Sequence, residues 1–120
     1  MDRTRLIEYK DIKIVFLDFS HCPIEEAQDV IMAATPLIRN EPEKSVFTMT
    51  YTDGGKFDSD IISALKEFTK GNEPYVKAAA VVGISGLQKI VLDAVSFFSN
   101  REFATFDDME EAKKYLAAHK

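Results

Sequence analysis

The segment that decides the fold runs from Tyr75 to Asn100 and reads YVKAAAVVGISGLQKIVLDAVSFFSN. Its first third contains a short, nearly continuous apolar run over residues 78–84, with Gly83 and Gly86 at its end. An apolar run this short, closed by glycines, predicts a β-strand that is buried on both faces. After Gly86 the apolar residues recur at helical spacing. A two-faced strand that enters a helix through a glycine turn is typical of a parallel α/β sheet.

The helix predicted after Gly86 has an apolar stripe that we expect to be its buried face. The residues of this stripe are Leu87, Ile90, Val91, Ala94, Val95 and Phe98. Leu92 lies well off the stripe and Phe97 lies at its flank, so both are expected at the surface. Tyr51 and Phe57 are also expected at the surface. If these four residues were contiguous, they would mark a partner surface or a groove for an apolar ligand. We expect that a homodimer, if one forms, uses the Leu92/Phe97 face.

The rest of the chain continues the alternation of strands and helices. Two β-prone runs flank Lys10-Asp11, a spacing that predicts a hairpin with the first run at the edge of the sheet. The predicted strands cover 5–9, 12–19, 45–52, 78–84 and 102–106, and helices follow Pro23, Asp58, Gly86 and Asp107. The order β-β-α-β-α-β-α-β-α predicts one α/β domain over residues 1–120, in which four helices flank a mostly parallel five-stranded sheet centred on 78–84.

Two helix positions carry specific expectations. Pro36 falls inside the first helical pattern, where its ring would clash with the Met32 carbonyl, so we expect a kink or an early end there. Asp107 and Glu110 have the spacing of an N-cap and N3 residue at the start of the final helix.

Composition excludes several classes of function. The net charge is -5 and lysines alternate with acidic residues, a pattern that disfavours nucleic acid and anionic membrane surfaces as partners. No apolar run approaches the roughly 20 residues of a transmembrane helix, and the first nine residues lack the apolar core of a signal peptide. A cytoplasmic protein is therefore expected. The single cysteine, Cys22, excludes an intrachain disulfide.

Two segments carry a resemblance to a known family. The segment FDSDIISAL, residues 57–65, is similar to the D-S-S-G-L-x-x-L type of motif at the start of a family's second helix. The ending EFATFDDMEEAKKYL, residues 102–116, is similar to its closing F-x-x-x-E-E-A-x-x-x-L pattern. Together with the element order, they make the whole chain resemble the STAS domain of sulfate transporters and anti-sigma-factor antagonists and its SpoIIAA-like relatives. The resemblance implies a SpoIIAA-like fold and a non-catalytic regulatory module that binds a protein partner or a small ligand, an apolar one included.

The same resemblance draws attention to Ser59. It places this residue at or beside the serine that antagonist members of the family carry in phosphorylated form, and a helix N-terminus favours an anion. The competing interpretation is that Asp58 or Ser59 only caps the helix. A phosphate on Ser59 would lie between Asp58 and Asp60, and like charges that close are unfavourable.

The loop from Gly83 to Gly86 is a candidate ligand site. It joins a strand to a helix, and with Ser85 it could hold an anion or a small ligand. Its spacing matches neither a P-loop nor a dinucleotide-binding fingerprint. The alternative is that the glycines serve the turn and close packing.

Asp18, Asp53 and Ser85 form a second candidate set. Each stands at or just past the end of a predicted strand, the edge where α/β sheets bind ligands. Two carboxylates and a hydroxyl there could bind Mg²⁺, which gives the alternative of a receiver-like phospho-acceptor or a small Mg-dependent enzyme. A receiver also needs a lysine after its last strand, where this chain has Asp107-Asp108. The other interpretation is solvated loop acids.

No other residues converge on a catalytic or metal site. Cys22 precedes a helix and follows His21, which could activate a thiolate, but a lone cysteine without a matched base is usually structural. His21 and His119 lie far apart in the chain, without the spacing of metal ligands. We therefore predict no catalytic residue, no metal and no cofactor.

Overall fold

Residues 3–120, which a computed structural model describes, form strands and helices in the predicted order. The strands are β1 (Thr4–Tyr9), β2 (Ile12–Asp18), β3 (Val46–Tyr51), β4 (Val76–Val82) and β5 (Ala104–Phe106). The helices are α1 (Ile24–Arg39), α2 (Ser59–Gly71), α3 (Leu87–Ser99) and α4 (Met109–Ala118).

The strands form one sheet in the order β1-β2-β3-β4-β5. β1 is antiparallel to β2, and the other neighbouring pairs are parallel, so the predicted mostly parallel five-stranded sheet is confirmed. The predicted centre is wrong, because the middle strand is β3 and β4 lies next to the short edge strand β5. Each crossover helix leads to the strand next to the one before it, always in the same direction across the sheet. The order of the strands in the sheet is therefore their order in the sequence.

The hairpin between β1 and β2 is confirmed, with Tyr9 paired to Ile12. Its two turn residues, Lys10 and Asp11, have φ angles of 43° and 70°. A two-residue hairpin turn of this kind needs positive φ at both positions. Here residues other than glycine adopt it, which is why the sequence signal for the turn is weak.

The sheet separates two layers of helices. Ala27, Ile31 and Ile61, from α1 and α2, are buried in one cluster with β2 and β4 residues, and α3 covers the same face. Ala112 and Leu116 of α4 are buried in a second cluster on the opposite face. Right-handed crossovers that all advance in one direction place their helices on one face, and α4 after the edge strand covers the other.

Two expectations about the helices need correction. α1 continues through Pro36 to Arg39, so the early end is wrong, and the alternative of a kink stays a prediction. The N-cap of α4 is Asp108 and not Asp107, because the Asp108 carboxylate accepts a hydrogen bond from the Glu110 N–H at 2.8 Å.

Candidate functional site

Helix α3 buries only part of the stripe that its sequence predicts: Val95 is buried and Val91 and Ala94 are half-buried. Leu87 and Ile90 are 80% and 65% exposed, and Phe98 is also exposed. Leu92, predicted to lie at the surface, instead faces the sheet. It lies about 140° around the helix from Phe97, which is 91% exposed, so the two residues do not form the expected common face. The homodimer itself stays a prediction.

Gln88 provides the physical reason for the rotation of α3. Its Nε2 donates hydrogen bonds to the carbonyl of Thr52 at 2.7 Å and to that of Gly55 at 2.8 Å. These bonds attach the first turn of α3 to the loop that follows β3. With Gln88 facing inward, neighbouring Leu87 and Ile90 turn toward solvent, because residues on one helix keep fixed angular offsets.

A cavity lies between the sheet and helices α2 and α3. Its volume, counted as the space that the centre of a water molecule can reach, is about 80 Å³. This is about half the volume of an apolar cavity of about 150 Å³ that binds benzene. The lining is largely apolar and includes Leu17, Phe19, Phe57, Leu65, Phe68, Val76, Val81, Ile84, Val91, Leu92, Val95 and Phe103.

A row of threonines forms the middle of the cavity floor. Thr48, Thr50 and Thr52 alternate along β3 and its C-terminal end and all line the cavity. The Thr52 hydroxyl donates to the Val82 carbonyl at 3.3 Å. The hydroxyls of Thr48 and Thr50 form no side-chain hydrogen bond with any of residues 3–120. Small polar side chains on an interior strand leave both space and hydrogen-bonding capacity under α2 and α3.

Aromatic contacts and the Gln88 bonds lie at the end of the cavity near the C-terminal edge of the sheet. The Phe19 and Phe57 rings meet edge-on with centroids 5.6 Å apart. Phe57, expected from the sequence to be exposed, is therefore partly buried against the core. This end of the cavity is fixed by contacts within the protein.

Arg101 lines the cavity from the segment between α3 and β5. Its N–H donates to the Ser96 carbonyl at 3.1 Å, and its own carbonyl accepts from the Ser96 hydroxyl. Its Nη2 is buried and has no hydrogen-bond partner among residues 3–120. Burial lowers the pKa of the guanidinium, and the negative charge of Glu73 acts in the opposite direction. A buried unpaired donor of this kind is rare in native proteins.

The predicted loop from Gly83 to Gly86 lies beside the cavity, and of its residues only Ile84 lines it. Gly83 and Gly86 have φ angles of 77° and 56°, which favour glycine. A Cβ on Gly83 would also lie 3.2 Å from the Tyr51 ring. These facts favour the turn interpretation of the glycines. Ser85 is exposed, and anion binding by this loop stays a prediction.

Asp18 and Asp53 each contact their own neighbourhood. Asp18 Oδ1 accepts from the N–H of Ser20 at 2.9 Å and from its hydroxyl at 2.5 Å. Asp53 Oδ2 lies 3.7 Å from His21 Nε2 on the surface. Within the described residues, no group of three or more histidine, cysteine or acidic side chains is placed to hold a metal ion. Asp53 is an exposed loop residue, whereas Asp18 is the last residue of β2 and is half-buried, and the Mg²⁺ alternative stays a prediction.

Ser59 is the first residue of α2 and is exposed. The N-cap is Asp58, whose carboxylate accepts from the Ile61 N–H at 2.8 Å. Of the two capping residues that the sequence left open, the structure thus selects Asp58. Phosphorylation of Ser59 stays a prediction.

Cys22 is buried in the cluster beneath α1. Its Sγ donates to the Pro23 carbonyl at 3.3 Å. Burial raises the pKa of the thiol, Glu26 and Asp18 raise it further, and Arg3 acts in the opposite direction. A protonated, buried thiol is a structural residue and a poor nucleophile.

No protein-family model matches the chain, and no curated protein matches it either. None of the helices within residues 3–120 is long and apolar enough to cross a bilayer.

The sequence contained only part of the signal for this site. The alternation of threonines in SVFTMTYT, residues 45–52, was visible as a strand pattern, and an interior strand with polar residues on one face is unusual. Arg101 carried no signal, because it stands in an irregular segment. Leu92 was assigned to the wrong face.

Proposed function

We propose that this chain is a non-catalytic binding module of the STAS/SpoIIAA-like type, and that its ligand is a small apolar molecule held between β3, α2 and α3. The observation that carries the proposal is the cavity with its largely apolar lining. Ligand sites are typically concave and apolar, with a few polar groups that orient the ligand. Thr48, Thr50 and Arg101 are such groups.

The family part of the proposal is supported by the element order and by the start of α2. The β-β-α-β-α-β-α-β-α order and the mostly parallel sheet are those that the resemblance implies. The motif-like segment 57–65 starts α2, one of the two helices that roof the cavity. The binding site would thus lie beneath the helix whose start carries the family resemblance.

Packing gives a physical reason for an apolar occupant. Protein interiors are normally filled to the density of organic crystals, and unfilled space forfeits dispersion contacts. An apolar molecule in the cavity would restore these contacts and release the waters that the cavity can hold. Leu65, Val91 and Val95 would contact such a ligand from α2 and α3.

The test is a titration with xenon, an uncharged apolar atom small enough for a cavity of this size, followed by xenon NMR. We expect saturable binding to the wild-type protein and loss of binding in Leu92→Trp, since the larger side chain fills the cavity. Phe97→Ser is the matched control on the exposed side of the same helix and should leave binding unchanged. Binding that survives Leu92→Trp but is lost in Phe97→Ser would place the xenon on the surface of α3 and contradict the proposal.

A further inference from the structure

Arg101 is the one charged residue in the described lining of the cavity. Its Nη2 has no acceptor among residues 3–120, although it is buried. The acid that acts on its pKa, Glu73, also lies 3.3 Å from the Nζ of Lys44, in an exposed pair. A buried guanidinium nitrogen normally donates a hydrogen bond to a carboxylate or carbonyl. Without that bond, the free energy lost when the nitrogen leaves water is not offset.

The backbone holds Arg101 in position at the cavity. α3 ends with Asn100 in the left-handed conformation, and the Arg101 N–H then bonds back to Ser96. This is the arrangement of a Schellman helix end. The second bond, from the Ser96 hydroxyl to the Arg101 carbonyl, fixes the same residue from its other side. The guanidinium is therefore presented by a rigid helix terminus.

Asn72 is a second donor in the cavity wall. The side chain is buried, and its Oδ1 accepts from Arg39 Nε at 3.0 Å. Because arginine can only donate, the atom that faces Arg39 is the amide oxygen, which leaves the Asn72 Nδ2 as a donor. No side-chain hydrogen bond among residues 3–120 uses this nitrogen. Arg101 and Asn72 thus provide donors to a cavity that is otherwise largely apolar.

We infer that the ligand is an aliphatic carboxylate, with its chain among the apolar side chains of α2 and α3 and its carboxylate accepting from Arg101. The inference rests on the proposed function and names the chemical class of its ligand. Charge complementarity decides the class: a guanidinium in a low-dielectric site favours a planar anion with two acceptor oxygens. An alcohol would offer a weaker neutral acceptor, and an amine would add a second positive charge.

The volume limits the length of the chain. A cavity of about 80 Å³ is about half the size of an apolar cavity of about 150 Å³ that binds benzene, so only a short chain fits. Propionate, a saturated carboxylate of three carbons, is therefore the probe. Propanol, with the same chain and no charge, is its matched comparison.

The experiment is calorimetric titration of the full wild-type chain at neutral pH with propionate, propanol and propylammonium. We expect propionate to bind about ten- to a hundredfold more tightly than propanol, the range of a charge-assisted hydrogen bond. Propylammonium should bind more weakly still. In Arg101→Gln the preference for propionate over propanol should disappear, while in Arg5→Gln, on the edge strand, it should persist.

The outcomes separate this inference from the proposed function. Equal affinity for propionate and propanol in the wild type would overturn the carboxylate assignment and leave the apolar cavity ligand in place. Xenon binding without binding of either three-carbon compound would do the same. If xenon, propionate and propanol all fail to bind, both proposals fail. The wild-type comparison needs no variant, so it decides the question even if Arg101→Gln does not fold.

Discussion

The two faces of the sheet are built from the same strands but are filled differently. β3 directs Phe47 and Met49 to the α4 face, where they are buried with Leu116. On the other side the same strand directs Thr48 and Thr50 into the cavity beneath α2 and α3. Successive side chains of a strand point to opposite faces, so one strand can supply a packed core on one side and a binding site on the other. The face under α4 is filled by side chains, and the face under α2 and α3 is the one that we propose binds a ligand.

The largest effect should come from truncating the α4 face. Leu116 is fully buried, and Leu116→Ala should lower the free energy of unfolding by about 2–5 kcal/mol, because it removes buried methyl groups and leaves a void. Leu92→Ala, beside space that already exists, should cost less. Urea denaturation followed by circular dichroism measures both. An equal loss in the two variants would show that the faces are packed alike.

A smaller effect separates two threonines of the cavity floor. Thr52→Val removes the hydroxyl that donates to the Val82 carbonyl and should lower the free energy of unfolding by about 1 kcal/mol. Thr50→Val has nearly the same shape but removes a hydroxyl without a side-chain hydrogen bond to residues 3–120, so stability should be unchanged or slightly raised. If Thr50→Val lowers the free energy of unfolding more than Thr52→Val does, the Thr50 hydroxyl has a hydrogen-bond partner and does not face free space in the cavity.

The roof of the cavity depends on the N-cap of α2. Asp58→Ala removes the acceptor for the Ile61 N–H and should lower the free energy of unfolding by about 1 kcal/mol. Ser59→Ala should change it by less than about 0.5 kcal/mol, since Ser59 is exposed. Thermal unfolding distinguishes the two. A larger loss in Ser59→Ala would mean that the serine, and not the aspartate, caps the helix.

Alkaline pH should weaken the face under α1 through Cys22. Burial raises the pKa of its thiol above the ordinary value of 9.0, so the unfolded chain loses this proton at a lower pH than the folded one. The contribution of Cys22 to stability is present below pH 9 and is lost as pH rises through the folded pKa. The free energy of unfolding of Cys22→Ala should therefore fall less steeply than that of the wild type between pH 9 and the folded pKa. Identical slopes would show that the thiol does not titrate differently in the two states.

The smallest effect is expected from acetyl phosphate, the reagent that would phosphorylate a receiver-like aspartate. Incubation with Mg²⁺ and acetyl phosphate should leave the intact mass unchanged, because Asp18 accepts two hydrogen bonds from Ser20 and Asp53 faces His21. A mass increase lost in Asp53→Asn would support the receiver-like alternative. The mass after purification from the native host tests Ser59 separately, with Ser59→Ala as the control.

Periodicity predicted most of the elements but not the orientation of α3. Apolar residues cover more than half of this helix, from Leu87 and Ile90 through Leu92 to Phe97 and Phe98. Such a wide apolar surface is compatible with several rotations of α3 about its own axis. The hydrogen bonds from Gln88 to carbonyls some 33–36 residues earlier in the chain select one of these rotations, and a local sequence pattern does not reveal such distant partners.

The sequence by itself determined the number, type and order of the elements and the mostly parallel sheet. These follow from local propensity, from the alternation of apolar residues and from the handedness of crossovers, all of which act over short stretches of chain. Only the tertiary structure decided which strand is central and that Leu92 faces the sheet. It also decided that the β3 threonines line one cavity together with Asn72 and Arg101. A cavity belongs to the gaps between elements, and its lining comes from residues that are distant in sequence.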